Sequence, residues 1–194
     1  RMSRGLGDVY KRQILEGSVA TSKRAINGQY TTPTELAKLL VRLTVKNWSD
    51  TILDCCCGTG TIPKEAIQIK KTQMTAKEAV ETVWACDKNN YPLQVANISM
   101  TEPDTINIAN RLFQHNALTL SIGEKITITN PETGGNMILA LPAFGAVVSN
   151  LPFVPFEIIP ADDKDEISKM PFVDILDGRS DLYCYIATKI ADVI

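Results

Sequence analysis

The chain reads as an α/β domain of the doubly wound type, on three observations. A short apolar run, "DTILD" (50–54), passes through a glycine turn, "CCCGTGT", into a helical pattern. A second strand and helix follow, at "TVWACD" (82–87) and "NYPLQVANISM" (90–100). A further apolar run, "FGAVV" (144–148), returns as a core strand late in the chain. Strands alternating with helices make a mainly parallel sheet covered on both faces.

The elements follow in order. "RMSRGLGDVYKRQ" (1–13) has no apolar periodicity, resembles a translated sequencing-adapter read-through, and is set apart from the domain at 14–194. "NGQYTTP" (27–33) is a polar loop. "TPTELAKLLVRLT" predicts a helix with Thr32 as N-cap, Pro33 at its first position and Glu35 completing a capping box. Leu36, Leu39, Leu40 and Leu43 are its expected buried stripe. "IPKEAIQIKK" (62–71) is the helix after the glycine turn, and "TAKEAVE" (75–81) adds a turn or two. A third strand is expected near Leu112–His115. "ITITNPETGGNMI" alternates and turns at Gly134–Gly135, as a hairpin does. "EIIPADDKDEISK" reads as an acidic, solvated loop, and "DLYCYIATKIADVI" (181–194) as an amphipathic helix without a C-cap signal. The sheet is therefore expected to be truncated after its fourth strand.

Composition narrows the function. With 194 residues, 44% hydrophobic and 22% charged, the chain can bury one real core. It has no apolar run of about 18 residues, so no membrane span is expected. A net charge of −2 argues against a nucleic-acid module that works by bulk positive charge. A catalytic domain whose DNA grip lies elsewhere in a longer chain stays open. Five cysteines, three of them contiguous at Cys55–Cys57, form neither a disulfide framework nor C-x-x-C zinc spacing. They read as reduced thiols of a cytoplasmic protein, filling space under the glycine loop. His115 is the single histidine, so a multi-histidine metal site is ruled out; it reads as structural, and Lys88 as solvated.

The chemical signals lie at strand ends. "ILDCCCGTGTI" has no G-K-[ST], which argues against a triphosphate loop. Pro63 stands where a dinucleotide fingerprint wants its third glycine. What remains is D-x-x-x-G-x-G, with Asp54 at the strand tip, where a carboxylate suits a cationic ligand. Asp87 ends the second strand and either accepts ribose hydroxyls or caps the next helix. Asn116, in "HNAL", can hydrogen-bond an adenine ring. Asn150, in "SNLPF", is a turn-former or a catalyst. One crevice at the carboxyl ends of a parallel sheet would receive all four.

The order "GQYTTP", "DCCCGTG", "ACDKN", "HNAL", "SNLPF" and "GRSDLYCYIATKI" resembles the adenine-N6 DNA methyltransferases of restriction–modification systems. The likeness covers Gly28 to Ile194 and is nearest the group whose cofactor loop precedes the catalytic motif, as in Type I modification subunits and fused Type II restriction–methylation enzymes. It implies a Rossmann-like methyltransferase sheet, S-adenosylmethionine as methyl donor, and DNA with a flipped-out adenine as partner. A specificity or nuclease subunit or domain would accompany it, and the catalytic domain at 14–194 would be incomplete at its C-terminus. By position, Gln29, Tyr30, Thr31, Thr32 and Pro33 would help hold the methionine part of the cofactor. Asp54, Gly58 and Gly60 would line its amino-acid end, Asp87 its ribose, and Asn116 with Ala117 its adenine.

Adenine N6 is a poor nucleophile, because its lone pair is delocalised into the ring. Two acceptors aimed at its hydrogens favour tetrahedral nitrogen and stabilise the charge that develops on attack. Asn150 would supply one oxygen and the Leu151 carbonyl the other, held by Pro152. Phe153 would stack on the base. Leu151 departs from the family's usual Asn-Pro-Pro-aromatic. Asn-Leu-Pro-aromatic resembles the motif of ribosomal-RNA adenine dimethylases, so an RNA substrate and a catalytically inactive homologue are the alternatives.

Overall fold

The computed structural model describes residues 31–171, 173, 176 and 179–194. Gln29 and Tyr30, and the stretch at 1–13, lie outside the described residues.

Four parallel strands form the sheet, in the order β3-β2-β1-β6. They are β1 (Ile52–Asp54), β2 (Val83–Asp87), β3 (Arg111–Gln114) and β6 (Ala146–Val147). Leu53 sits opposite Trp84 on one side and Val147 on the other. Every residue of β1 and β2 is buried, as expected of a parallel sheet covered on both faces. The chain moves outward from β1 to β2 and β3, then returns to the far side of β1 as β6. The order therefore reverses between β1 and β6, and that is where such sheets open a crevice.

Side-chain alternation divides the core. Ile52, Val83 and Ala146 pack with Ala37, Val41, Ala66 and Met100, from α1 (Thr34–Thr44), α2 (Thr61–Lys70) and α4 (Asn90–Met100). Val80 of α3 (Ala76–Glu81) joins them. Leu53, Trp84 and Phe113 face the other way, against Tyr185 and Ile186 of α6 (Leu182–Ile190). The antiparallel hairpin β4 (Lys125–Thr129) and β5 (Asn136–Ala140) covers the same face through Ile126 and Ile128. The expected hairpin is present, and Gly134 takes the positive φ (68°) of its turn.

Several expectations need correction. α1 begins at Thr34, with Pro33 in the capping position and no side-chain cap hydrogen bond. Thr32 is drawn elsewhere, as described below. Its buried face is Ala37 and Val41, while Leu36, Leu39 and Leu43 are exposed. α1 packs closely on α2, and a small or β-branched side chain fits that approach better than leucine. β6 spans only two residues of the longer apolar run. The acidic segment is a helix, α5 (Ala161–Ser168), whose Asp163 is buried. Lys88 is not simply solvated: it pairs with Asp162 (2.6 Å) and Asp163 (2.8 Å). The last helix ends at Ile190 and continues as a 3-10 turn, Ala191–Val193, whose Val193 carbonyl accepts from Phe144 N. No helix among the described residues is long and apolar enough to cross a membrane.

Lys70 was not foreseen as a core residue. It is fully buried, and its ammonium donates to the Trp48 and Asp50 carbonyls (2.8 and 2.6 Å) and the Thr82 hydroxyl (2.8 Å). These acceptors lie just before β1 and β2, so the charge ties the floor of the sheet, opposite the strand ends that carry the site. Burial pushes its pKa down to about 8, against the opposing pull of Asp50.

Candidate active site

A cavity of about 270 Å³ opens at the carboxyl ends of the strands. Thr31, Thr32, Asp54, Gly58, Asp87, Asn116, Ala117, Asn150 and Pro152 all line it. Pro33, Gly60, Leu151 and Phe153 do not. The crevice thus gathers residues from four strand ends and from the segment before α1.

The glycine turn shapes one wall. Gly58 (φ 51°) and Gly60 (φ 81°) are left-handed, so the loop bends back at low cost. Gly60 serves packing: a Cβ there would lie 2.9 Å from Ala96 Cβ, so its absence lets α2 approach α4. Cys55 and Cys57 fill the space beneath. Burial pushes the Cys57 and Cys86 thiols well up, which keeps them protonated and poor nucleophiles.

Asp54 is almost fully buried at the tip of β1. Its Oδ1 accepts from the Ser149 hydroxyl (2.7 Å) and Cys56 N (3.3 Å). Burial raises its carboxyl to about 7; those two hydrogen bonds pull it down, and the charge of Asp87 pushes it up again. Asp87 accepts from Gly58 N (3.0 Å) through Oδ2 and from Asn89 N (2.8 Å) through Oδ1. It ties the glycine loop to the turn entering α4, and burial raises its carboxyl as well. Neither carboxylate forms a salt bridge among the described residues.

The "SNLPF" segment is pinned at both ends. Ser149 holds Asp54, and Val154, just past the segment, accepts from Leu182 N at the start of α6 (2.9 Å). Between them, Asn150 Nδ2 donates to the Thr32 hydroxyl at 3.2 Å. This is what replaces the expected cap, and it fixes the plane of the amide at the cavity wall. Leu151 packs its side chain on the core. Phe153 is exposed and meets the Tyr183 ring at 5.4 Å between centroids.

The N-6 DNA Methylase family model matches residues 2–175, and so begins inside the stretch set apart at 1–13. The chain belongs to the N-6 DNA methylase family. No curated protein matches it. The enzyme class is therefore methyltransferase, acting at adenine N6, with DNA as the family's substrate.

The cavity of this N-6 DNA methylase brings two buried carboxylates to one glycine turn. Two buried carboxylates that meet no cation among the described residues favour a ligand with positive charge, and the glycine turn lets backbone approach it. Asn116, expected to face an adenine, is held locally: Oδ1 accepts from Leu118 N (3.1 Å), and Nδ2 donates to Asp163 (2.8 Å). His115 is structural, bonded to the Asn116 carbonyl and Glu124.

Ser149, Lys88 and Asp163 were missed by sequence reasoning. Pro160 before an acidic first turn is a helix-start signal that could have found α5. Nothing in the spacing joins Ser149 to Asp54, because that contact spans 95 residues.

Proposed function

We propose that the chain transfers a methyl group from S-adenosylmethionine to N6 of adenine in DNA, as the cytoplasmic catalytic part of a restriction–modification system. The Asn150 amide, anchored on Thr32 at the wall of a cavity with two buried carboxylates, carries this reading.

S-adenosylmethionine, when bound, supplies a sulfonium-activated methyl group. Asp54 would hold the positively charged end, giving up its proton to do so, and Asp87 would hold the ribose. Gly58 lets the loop backbone lie against the ligand. Asn150 Oδ1 and the Leu151 carbonyl accept the two N–H groups of a flipped-out adenine, which draws the lone pair of N6 out of the ring system. Leu151 can serve where the family has proline, because its carbonyl, not its ring, would do the work, and Pro152 still restricts its backbone. Phe153 offers a face for the base, worth about 1–3 kcal/mol. Reading of the target sequence falls to a specificity subunit or recognition domain, given the chain's net charge of −2, and a nuclease subunit or domain would be a companion.

Incubation with methyl-labelled S-adenosylmethionine and either DNA or RNA tests this. Label is expected in adenine N6 of DNA. Label only in RNA would move the reading to an RNA methyltransferase, and cofactor binding without label in either would mark an inactive homologue. Asn150→Ala is expected to abolish transfer while cofactor binding stays within about twofold; equal loss of both would remove Asn150 from the chemistry.

A further inference from the structure

We propose that Tyr183 is a positioning residue for the target base: it backs the Phe153 ring and leaves that ring's other face for the adenine. The proposal rests on the reading of Phe153 as the stacking face and deepens it.

Packing does not account for an aromatic ring at 183. The buried side of α6 is Leu182, Tyr185, Ile186 and Ile190, a helical stripe that leaves Tyr183 out. Tyr183 is 37% exposed and Phe153 58% exposed, and neither belongs to the buried core. The two rings are nonetheless held in register. Leu182 N donates to the Val154 carbonyl at 2.9 Å, one residue along from each ring. Pro152, Val154, Leu182 and Ile186 line the cavity, so both rings stand beside its mouth.

The spacing decides what the pair can do. The ring centroids lie 5.4 Å apart, and the planes are tilted by 49°. A base slotted between two rings needs two stacking spacings of about 3.4 Å, or about 7 Å in all, with the planes nearly parallel. This pair is too close and too tilted for that. It falls within the range, about 4.5–7 Å, over which two aromatic rings attract. Tyr183 therefore covers one side of Phe153, and a flipped-out base meets what stays exposed. An exposed phenylalanine without such support turns about two side-chain bonds, and the arriving base must bear the entropy of stopping it. With Tyr183 behind it, the ring is already placed.

Tyr183 thus bears on DNA only through Phe153, and a double-mutant cycle tests that. The whole chain is given methyl-labelled S-adenosylmethionine and mixed-sequence duplex DNA, and kcat/KM for DNA is measured. Tyr183→Ala is expected to lower it about two- to tenfold, the rate equivalent of one aromatic pair, with cofactor Kd within about twofold. Tyr183→Phe, which keeps the ring, should rescue the loss. In a Phe153→Ala background, Tyr183→Ala should add nothing. Equal losses with and without the Phe153 ring would overturn the proposal, since Tyr183 would then touch DNA itself. No loss from Tyr183→Ala would overturn it too, as would a parallel fall in cofactor affinity. Full activity in Phe153→Ala would instead remove the stacking reading, and this proposal with it. A wild-type chain that transfers no label to DNA would remove the DNA methyl-transfer reading on which both stand.

Discussion

Lowering the pH from 8 to 6 is expected to weaken cofactor binding about tenfold through one residue, Asp54. Its carboxyl titrates at about 7, because burial opposes the charge. A cationic ligand prefers the ionised form, present in about nine molecules of ten at pH 8 and about one of ten at pH 6. The apparent Kd for S-adenosylmethionine should therefore rise about tenfold across that interval and level off above it. Near pH 7, binding should release about half a proton, readable by calorimetry in two buffers of different ionisation enthalpy. Stability without ligand runs the other way. Between pH 4 and 7 the unfolded chain has lost this proton and the folded chain keeps it, so stability falls as pH rises through that window. The shift from 3.8 to about 7 sets an upper bound on the order of 4 kcal/mol. Asp54→Asn keeps an oxygen for Ser149 and Cys56 but removes the charge. At pH 8 it should raise the melting temperature of the ligand-free protein by about 4 °C or more, weaken cofactor binding, and flatten its pH profile. A pH-independent Kd in the wild type, or an unchanged slope in the variant, would refute the reasoning.

Two other perturbations read separate parts of the fold. Thr32→Val keeps the shape and removes the acceptor for Asn150 Nδ2. Steady-state kinetics should show kcat down about fivefold, the rate equivalent of about 1 kcal/mol, with cofactor affinity within about twofold. Gly60→Ala puts a Cβ 2.9 Å from Ala96 at a φ of 81° and should cost about 2–4 kcal/mol in denaturant unfolding. Gly58→Ala meets nothing within 4 Å and should cost only the backbone strain, about 1–2 kcal/mol.

The strands and most helices were legible because each signal was local. "VWACD" is apolar and short, and Asn90–Met100 has the bounds its pattern predicts. The carboxyl-end positions of Asp54, Asp87, Asn116 and Asn150 followed from the same local reading, since a strand end marks itself by its change of composition. What failed depends on partners. Periodicity allows two neighbouring stripes on α1, one through Leu36, Leu39 and Leu43 and one through Ala37 and Val41; the close approach of α2 selects the second. α5 has one strongly apolar buried residue, Ile167, too little to register as a stripe. Its place comes instead from Lys88 and Asn116, which are 75 and 47 residues away from Asp163. Thr32 looked like a cap because its composition and spacing fit one; its hydroxyl went to an amide 118 residues away.

The two ends of the sheet show why the crevice, and not the fold around it, points to a cationic ligand. At the amino ends, Lys70, the one buried ammonium among the described residues, meets three oxygens and is fully provided for. At the carboxyl ends, Asp54 and Asp87 sit on neighbouring strands, both raised by burial, and each other's charge makes ionisation harder for Asp54. Folding alone has no use for this: two buried carboxylates with no countercharge among the described residues weaken the domain at neutral pH. An anionic nucleotide would add a third negative charge to the same crevice and make the site worse. A ligand with a cationic end at Asp54 and hydroxyls donating to Asp87 would relieve both carboxylates, and the stability given up in the empty domain would return as binding energy. The electrostatic asymmetry of the sheet therefore favours a ligand with positive charge over an anionic nucleotide, independently of the glycine pattern.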